Sequence, residues 1–503
     1  MATTRSQPQI PEAMGVLWRQ WLKAPGVLAG AAVLAGMLGG ALAIGVGPVL
    51  PLAFLVAIIG GIAILLDARV GLYAAVAVIT LLPYATLPVK IGLTFTLLEA
   101  AILLTIAVWA LRLGFDRSEL ILTTPVFLPL GFFITATLVA FLIGAGRNTT
   151  TQTAHDYLKL LLGVSMIVLV VNLLRERRDV ARFTTAIVAG GAVAGALALI
   201  LQRLPVALTT RILTRLSVVG YPTSRVVRYI EDNPALARRA TGTGVDPNAF
   251  AGLLMLILVL AVGQAVAARP LVSRKLSIVT APIVGLALLL TESRAAWLGA
   301  VVGVGMLALL RYRRLILPLV ALGIAAAAFG VGTGYLSRLI GGLRGQDAAT
   351  QLRYREYANA LQLIRDYPVF GVGFGDAPRI DLQTGVSSVY LTVAERAGLI
   401  GLAFFLAVLV SLVARLIRGA LRAPTDEPYG ELAFAVAASV VAACVAATLD
   451  HYFFNLGFPH MAALFWAFAG LGEVALRLTT LPCPAAAGSD WDAPPVARYT
   501  HRP

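Results

Sequence analysis

The sequence predicts an all-α polytopic integral membrane protein of about 12 to 14 transmembrane helices with two long arginine-rich extracytoplasmic loops. Three observations carry that expectation. First, 59% of the 503 residues are hydrophobic and 13% charged, and the mean hydropathy of +0.86 lies well outside the soluble range. Second, apolar runs approaching the roughly 20 residues that a helix needs to cross a bilayer recur along most of the chain. Third, short basic clusters between those runs fall on alternate loops, the pattern of a positive-inside topology. The formal charge of +15 is scattered between apolar runs and not gathered on one soluble face, which argues against a nucleic-acid partner. Two cysteines, Cys444 in an apolar run and Cys483 in a Pro/Ala-rich tail, build no disulfide framework.

Taken in order, residues 1–25 read as a cytoplasmic N-terminal segment. They lack a compact apolar stretch with a cleavage site, so the first run is expected to stay as a helix. Transmembrane helices follow over 26–202, an extracytoplasmic arginine-rich loop over 203–247, central transmembrane helices over 248–335, and a large extracytoplasmic loop with an amphipathic helix over 336–388. C-terminal transmembrane helices fill 389–477, and 478–503 reads as a disordered cytoplasmic tail. The basic clusters "LRLGFDR" (111–117), "RERRDVAR" (175–182), "ARPLVSRK" (268–275), "RYRR" (311–314) and "ARLIRGALR" (414–422) share the side of the N-terminus. That places "TESR" (291–294) and "DHYFFNLGFPH" (450–460) outside with the two long loops.

Those external loops break the positive-inside bias, which long loops are free to do. Their composition needs a further reason. The stretch "RILTRLSVVGYPTSRVVRYIEDNPALARRATGTG" (211–244) is dense in arginine and contains no lysine. A guanidinium grips phosphate through a planar fork, whereas an ammonium meets it as a point charge. The plainer reading, pairing with lipid headgroups and a few carboxylates, stands beside a vestibule for a lipid diphosphate. "TGTGVDPNAFAGLL" (241–254) is a glycine turn and helix start that sets Arg238 and Arg239 at a helix mouth. In "LLLTESRAAWLG" (288–299), Arg294 is either a snorkelling side chain or a diphosphate clamp held by Glu292. "LRYREYANALQLIRDYPVFGVGFGD" (352–376) reads as an amphipathic helix stopped by Pro368, then a glycine turn that is no dinucleotide fingerprint. "DWD" (490–492) lies in the tail without the fixed geometry a metal needs, and "NTT" (148–150) is a chance-level sequon.

In order, "RRATGTGVDPNAFAGLL", "LTESRAAWLG", the 352–376 segment, "YLTVAERAGLIGLAFF" (390–405) and "LDHYFFNLGFPHMAALFWAFAGL" (449–471) resemble the O-antigen ligase and polymerase membrane proteins, over roughly residues 235–475. The resemblance implies a membrane glycosyltransferase that moves a glycan from a polyprenyl-diphosphate carrier to the hydroxyl of a glycan or glycolipid acceptor. It further implies a site outside the cytoplasmic membrane and a reaction without cofactor or metal, with membrane lipids and no nucleic acid as further partners. Diphosphate binding falls by resemblance on Arg294 and on Arg238 or Arg239, with Arg353 and Arg355 of the second loop as further candidates. One position departs: where family members carry a histidine, the proposed acceptor-activating base, this chain has Ser387, beside Ser388. The base is then sought among His451, Glu395, His155 and His460, with Asp450 beside His451 to orient and charge its imidazole. Adjacency in sequence does not establish convergence in space, so a helix-end Asp-His in an aromatic loop remains open. A non-catalytic transporter or flippase of the same lipid-linked glycan is the alternative, and a structural envelope subunit a third reading.

Overall fold

The computed structural model describes residues 49–87, 94–116, 119–145, 150–333, 348–375 and 385–480. The first apolar run (26–46), Arg338, Arg344, Arg379, most of "NTT" and the tail beyond Thr480 lie outside the described residues. Among the described residues the chain is all-α apart from one hairpin of two-residue strands and an isolated bridge between Thr86 and Thr96. The described part begins with six helices: α1 (Val49–Leu66), α2 (Arg69–Leu81), α3 (Leu97–Phe115), α4 (Phe127–Ala145), α5 (Thr151–Leu173) and α6 (Arg177–Arg203). A surface segment holds α7 (Val206–Thr214) and the strands β1 (Arg228–Tyr229) and β2 (Arg238–Arg239). Then come α8 (Pro247–Val266), α9 (Arg274–Leu290), α10 (Arg294–Leu310), α11 (Ile316–Thr333), α12 (Ala348–Asp366), α13 (Val389–Arg422), α14 (Pro428–Ala446) and α15 (Pro459–Thr479). Among the described residues, eight helices are long and apolar enough to cross a membrane (α3 to α6, α8 and α13 to α15), joined by shorter apolar helices in α1, α2 and α10. The protein is a multi-pass membrane protein.

Local chemistry sets the helix starts. Thr96 and Glu99 form a reciprocal capping box on α3, Asp246 caps α8 through the Asn248 and Ala249 amides with Pro247 at the first position, and proline opens α14 and α15 as well. The apolar spans of α14 and α15 are 83% and 89% buried against 33% for α3 and α4, so the former are the centre of the bundle and the latter its rim. Their alanine-rich faces allow close approach, as small residues do between membrane helices.

The helix ends gather into two opposite faces. One collects residues 66–69, 112–116, 119–122, 172–179, 264–274, 311–315 and 415–431, tied by Arg69 to Asp179, Arg175 to Glu119, Arg311 to Glu431 and Arg415 to Glu473. The other collects residues 81–87, 94–99, 201–247, 290–294, 353–375, 385–400 and 447–460. The loop expected over 203–247 is not bare there: Thr209 and Leu213 of α7 pack inward, and Leu213 joins Leu201 and Val226 in a small separate core.

Candidate functional site

The β1–β2 hairpin pairs Arg228 with Arg239 and Tyr229 with Arg238. Successive strand residues point to opposite sides, and the two adjacent arginines diverge accordingly. Arg238 donates to the Leu201 and Leu204 carbonyls at 2.9 and 3.2 Å, closing the C-terminal end of α6, and its own carbonyl accepts from Gln202 at 2.8 Å. Arg239 turns the other way, with Nε on the Thr291 carbonyl at 2.7 Å and Nη2 on Asn248 Oδ1 at 2.5 Å. It thereby ties the "TGTGVDPN" turn to the "TESR" turn, helped by the Ala240 amide on Leu290 at 2.7 Å. Burial holds the Arg239 guanidinium below its usual pKa range, opposed by Asp246, Glu292 and Asp450.

Both turns carry backbone strain. Val245 sits at φ 56° and Glu292 at φ 59°, conformations that cost a side-chain-bearing residue about 1–3 kcal/mol and collect at functional sites. Glu292 lies two residues before Arg294, the half-buried first residue of α10, so this arginine stands at a helix N-terminus whose amides share its electrostatic sign. Trp297 fixes that turn by donating to the Leu288 carbonyl at 3.0 Å.

Helix α12 presents one stripe inward, with Ala360 and Leu363 fully buried and Arg353, Glu356 and Tyr357 half-buried, while Leu352, Tyr354 and Arg355 are exposed. Arg353 and Arg355, two residues apart, therefore face differently. Arg353 approaches Asp450 at 3.9 Å. Glu356 Oε2 accepts from both the amide and the hydroxyl of Ser387, at 3.0 and 2.7 Å, and Tyr357 donates to the Ser387 carbonyl at 3.2 Å.

The "GVGFG" turn is built into a break in α13. The amides of Val372 and Gly373 donate to the carbonyls of Glu395 and Arg396, and the amides of Leu399 and Ile400 donate back to Pro368 and Val369. A polar break in a spanning helix is tolerated where protein re-satisfies the backbone. Gly398 makes it possible: φ is 70°, and a Cβ there would overlap the Val369 carbonyl oxygen. Glu395 is 1% exposed and accepts from the Gly385 amide at 3.3 Å. Its neighbour Arg396 donates to the Gly373 and Gly375 carbonyls at 3.3 and 2.7 Å.

Asp450 is buried in the link between α14 and α15. Its Oδ1 accepts the His451 amide at 2.8 Å and lies 3.5 Å from His451 Nδ1. Burial pushes the Asp450 carboxyl above the usual carboxylate range, against the pull of His451 and Arg353. Asp450 Oδ2, His451 Nδ1 and the Tyr452 hydroxyl are buried without a hydrogen-bond partner, as are the Tyr84 hydroxyl and His460 Nδ1. Such orphans call for a ligand or water. His460 is buried against Tyr84, ring centroids 5.2 Å apart, and His155 is buried on Glu99 at 3.3 Å under Phe95. His451, half-buried, is the most open of these three histidines.

The structure thus brings Arg239, Arg353, Asp450 and His451 together, with Glu292 and Arg294 on the adjoining turn. Ser387 and Glu395 meet α12 and the broken helix beside them. Arg238 is directed to α6 and Arg355 outward. Sequence reasoning passed over Glu356, Tyr357, Arg396 and Asn248. Only for Glu356 was there a usable signal, its i,i+3 spacing from Arg353 on an expected helix.

Comparison with known proteins adds a family for part of the chain. Residues 278–406 match the Wzy_C family, described as O-antigen ligase. That region includes the "TESR" turn, α12, the glycine turn and the broken start of α13, while Arg239 and Asp450 lie outside it. No curated protein matches the sequence. Among solved structures, the chain is similar to one from work described as "Structural coordination of polymerization and crosslinking by a peptidoglycan synthase complex". The two are 20% identical over 69% of this chain and 96% of that chain, with a TM-score of 0.38.

Proposed function

We propose that this protein is a membrane glycosyltransferase of O-antigen ligase or polymerase type, moving a glycan from a polyprenyl-diphosphate carrier to an acceptor hydroxyl on the extracytoplasmic face without a metal. The observation that carries the reading is that Arg353 stands 3.9 Å from the buried Asp450 and Arg239 lies within the field of the same carboxylate, while Arg239 also binds the turn on which Arg294 opens α10. The O-antigen ligase match over residues 278–406 supports the reaction class. The basic clusters at the opposite end support a site outside the cytoplasm.

In this reading the donor lies in the bilayer with its diphosphate among Arg239, Arg294 and Arg353. As the glycosyl–phosphate bond breaks, charge builds on the departing diphosphate, and guanidiniums fixed beforehand stabilise it without reorganising. Asp450 is the counter-charge that keeps Arg239 and Arg353 in place between turnovers. Glu395 and Arg396 position the glycine turn that backs the site.

The test is release of free polyprenyl diphosphate from a polyprenyl-diphosphate oligosaccharide by the purified protein in nanodiscs. Wild type is expected to release it with acceptor present and to do so equally in EDTA. Arg294→Ala is expected to lose about 10²-fold or more in turnover, the scale of removing one preorganised donor. Donor binding by wild type without release, across several acceptors, would favour a transporter of the same lipid.

A further inference from the structure

The transferase reading requires a group that takes the proton of the acceptor hydroxyl, and the titratable side chains around the arginines are unequally suited to it. Asp246 Oδ1 is occupied by the Asn248 and Ala249 amides, at 2.9 and 2.8 Å. Asp450 is 3% exposed and sits against Arg353 and the His451 amide. Glu395 is buried within the stitched break of α13, and His155 and His460 are buried among aromatic rings. Glu356 differs from these buried groups and shares its half-burial with Glu292 and His451. It is half-buried on the inward stripe of α12, one helical turn after Arg353, so a group held by Glu356 lies beside the guanidinium that reaches Asp450.

Glu356 also already does, with a protein hydroxyl, what a general base does with a substrate. Its Oε2 receives the Ser387 O–H at 2.7 Å, the short distance of a hydroxyl donating to a carboxylate. The same oxygen takes the Ser387 amide at 3.0 Å, and Tyr357 anchors the Ser387 carbonyl from the next residue of α12. The carboxylate is therefore oriented by backbone, and only the hydroxyl partner is exchangeable.

We propose that Glu356 is the catalytic base of the transfer, with Ser387 Oγ occupying the place of the acceptor hydroxyl until the acceptor arrives. This assignment rests on the transferase reading. The acceptor O–H gives its proton to Glu356, and the oxygen forms a bond to the anomeric carbon. The bond from that carbon to the diphosphate oxygen breaks, its electron pair leaving on polyprenyl diphosphate. Glu356 then passes the proton to water as product departs. Ser387 is a positioning residue, which holds the carboxylate by its amide after its hydroxyl is displaced.

The experiment measures turnover and donor binding on the same nanodisc preparations. Glu356→Gln, which keeps shape and loses basicity, is expected to bind donor as wild type does while kcat falls about 10²-fold or more. Formate added to Glu356→Ala is expected to restore part of the rate, a response that a merely structural role does not produce. Ser387→Ala is expected to keep kcat within about tenfold of wild type, since the amide contact survives. Turnover by Glu356→Gln within about threefold of wild type, or a Glu356→Ala loss that formate does not relieve while donor still binds, overturns the assignment. A His451→Ala loss rescued by imidazole would transfer the role to His451. Wild type that binds donor and releases nothing removes the transferase reading itself, and that result is distinct because no variant enters into it.

Discussion

The two ends of the bundle use most of their arginines differently, although Arg238 at the second end also closes a helix C-terminus. At the end carrying the short basic loops, arginines are consumed by the protein. Arg477 donates to the Val171 and Leu174 carbonyls at 3.0 and 2.8 Å, Arg175 to Asn172 and Leu120, and Arg311 to Ala420 at 2.8 Å while pairing with Glu431. Most of these carbonyls are at helix C-termini, where the backbone leaves acceptors open and a cation is favoured. At the opposite end the pattern is looser and costlier. All five non-glycine residues at positive φ among the described residues lie there, from Arg225 to Glu292. Buried polar atoms without a partner occur at both ends, Gln264 Nε2 and Arg311 Nε at the first and those of Tyr84, Glu395, Asp450, His451, Tyr452 and His460 at the second. One end is tied to itself by its arginines, and the other holds the backbone strain.

The contrast breaks most visibly if an arginine of the closed end is removed. Arg311 is 7% exposed and Glu431 1%, and the Tyr312 hydroxyl also donates to Glu431. Arg311→Met leaves a buried carboxylate with one neutral partner, which costs about 3–5 kcal/mol. The expected result is a large drop in the melting temperature of detergent-solubilised protein, with turnover per folded molecule unchanged. A loss of turnover at unchanged melting temperature would erase the division between the ends.

A smaller effect of opposite sign is expected at Asp450. Its folded-state pKa is raised above the ordinary 3.8 by burial. A raised carboxyl contributes stability that is fully present below its unfolded pKa and is lost as pH rises through the folded value, so at neutral pH the buried charge is a burden. A folded-state pKa one pH unit above the unfolded one corresponds to about 1.4 kcal/mol. Asp450→Asn is therefore expected to melt no lower than wild type at neutral pH, and its advantage should shrink as pH falls toward 3.8 and the wild-type carboxyl protonates. Turnover should fall at neutral pH, because Arg353 and Arg239 lose their counter-charge, and the deficit should close as the wild-type carboxyl protonates. Melting curves of both proteins across that window check the sign.

Much of this was legible in the sequence, for physical reasons that can be named. Long apolar runs fix the helices, because a membrane admits few other solutions, and the basic clusters between them gather at one end of the bundle. Glycine and proline marked the "TGTGVDPN" and "GVGFG" turns. What stayed hidden depended on direction and partner. Arg238 and Arg239 are indistinguishable in sequence, and only the alternation of a two-residue strand sends one to α6 and the other to Thr291. Arg353 and Arg355 separate by their angle around α12. The break in α13 falls in "YLTVAERAGLIGLAFF", which reads as unbroken helix, since its cause is a turn more than twenty residues earlier that inserts its amides there. Asp450 meets Arg353 across nearly a hundred residues, a proximity that no local pattern encodes.

The least disruptive probe of the strained end is Val245. A β-branched residue at φ 56° is held in a conformation that glycine adopts freely. Val245→Gly removes a strain of about 1–3 kcal/mol and introduces about 0.5–1 kcal/mol of extra chain entropy to be lost on folding, so melting should stay level or rise by a few degrees. The turn it relaxes is the one whose Asn248 holds Arg239 and whose Asp246 caps α8. If strain there serves to hold Arg239 toward the site, the more stable variant should be slower, with the loss in kcat and not in donor binding. A variant that is both more stable and equally fast would mean that the left-handed turn is a tolerated cost of chain routing, and that the placement of Arg239 rests on its bonds to Thr291 and Asn248 alone.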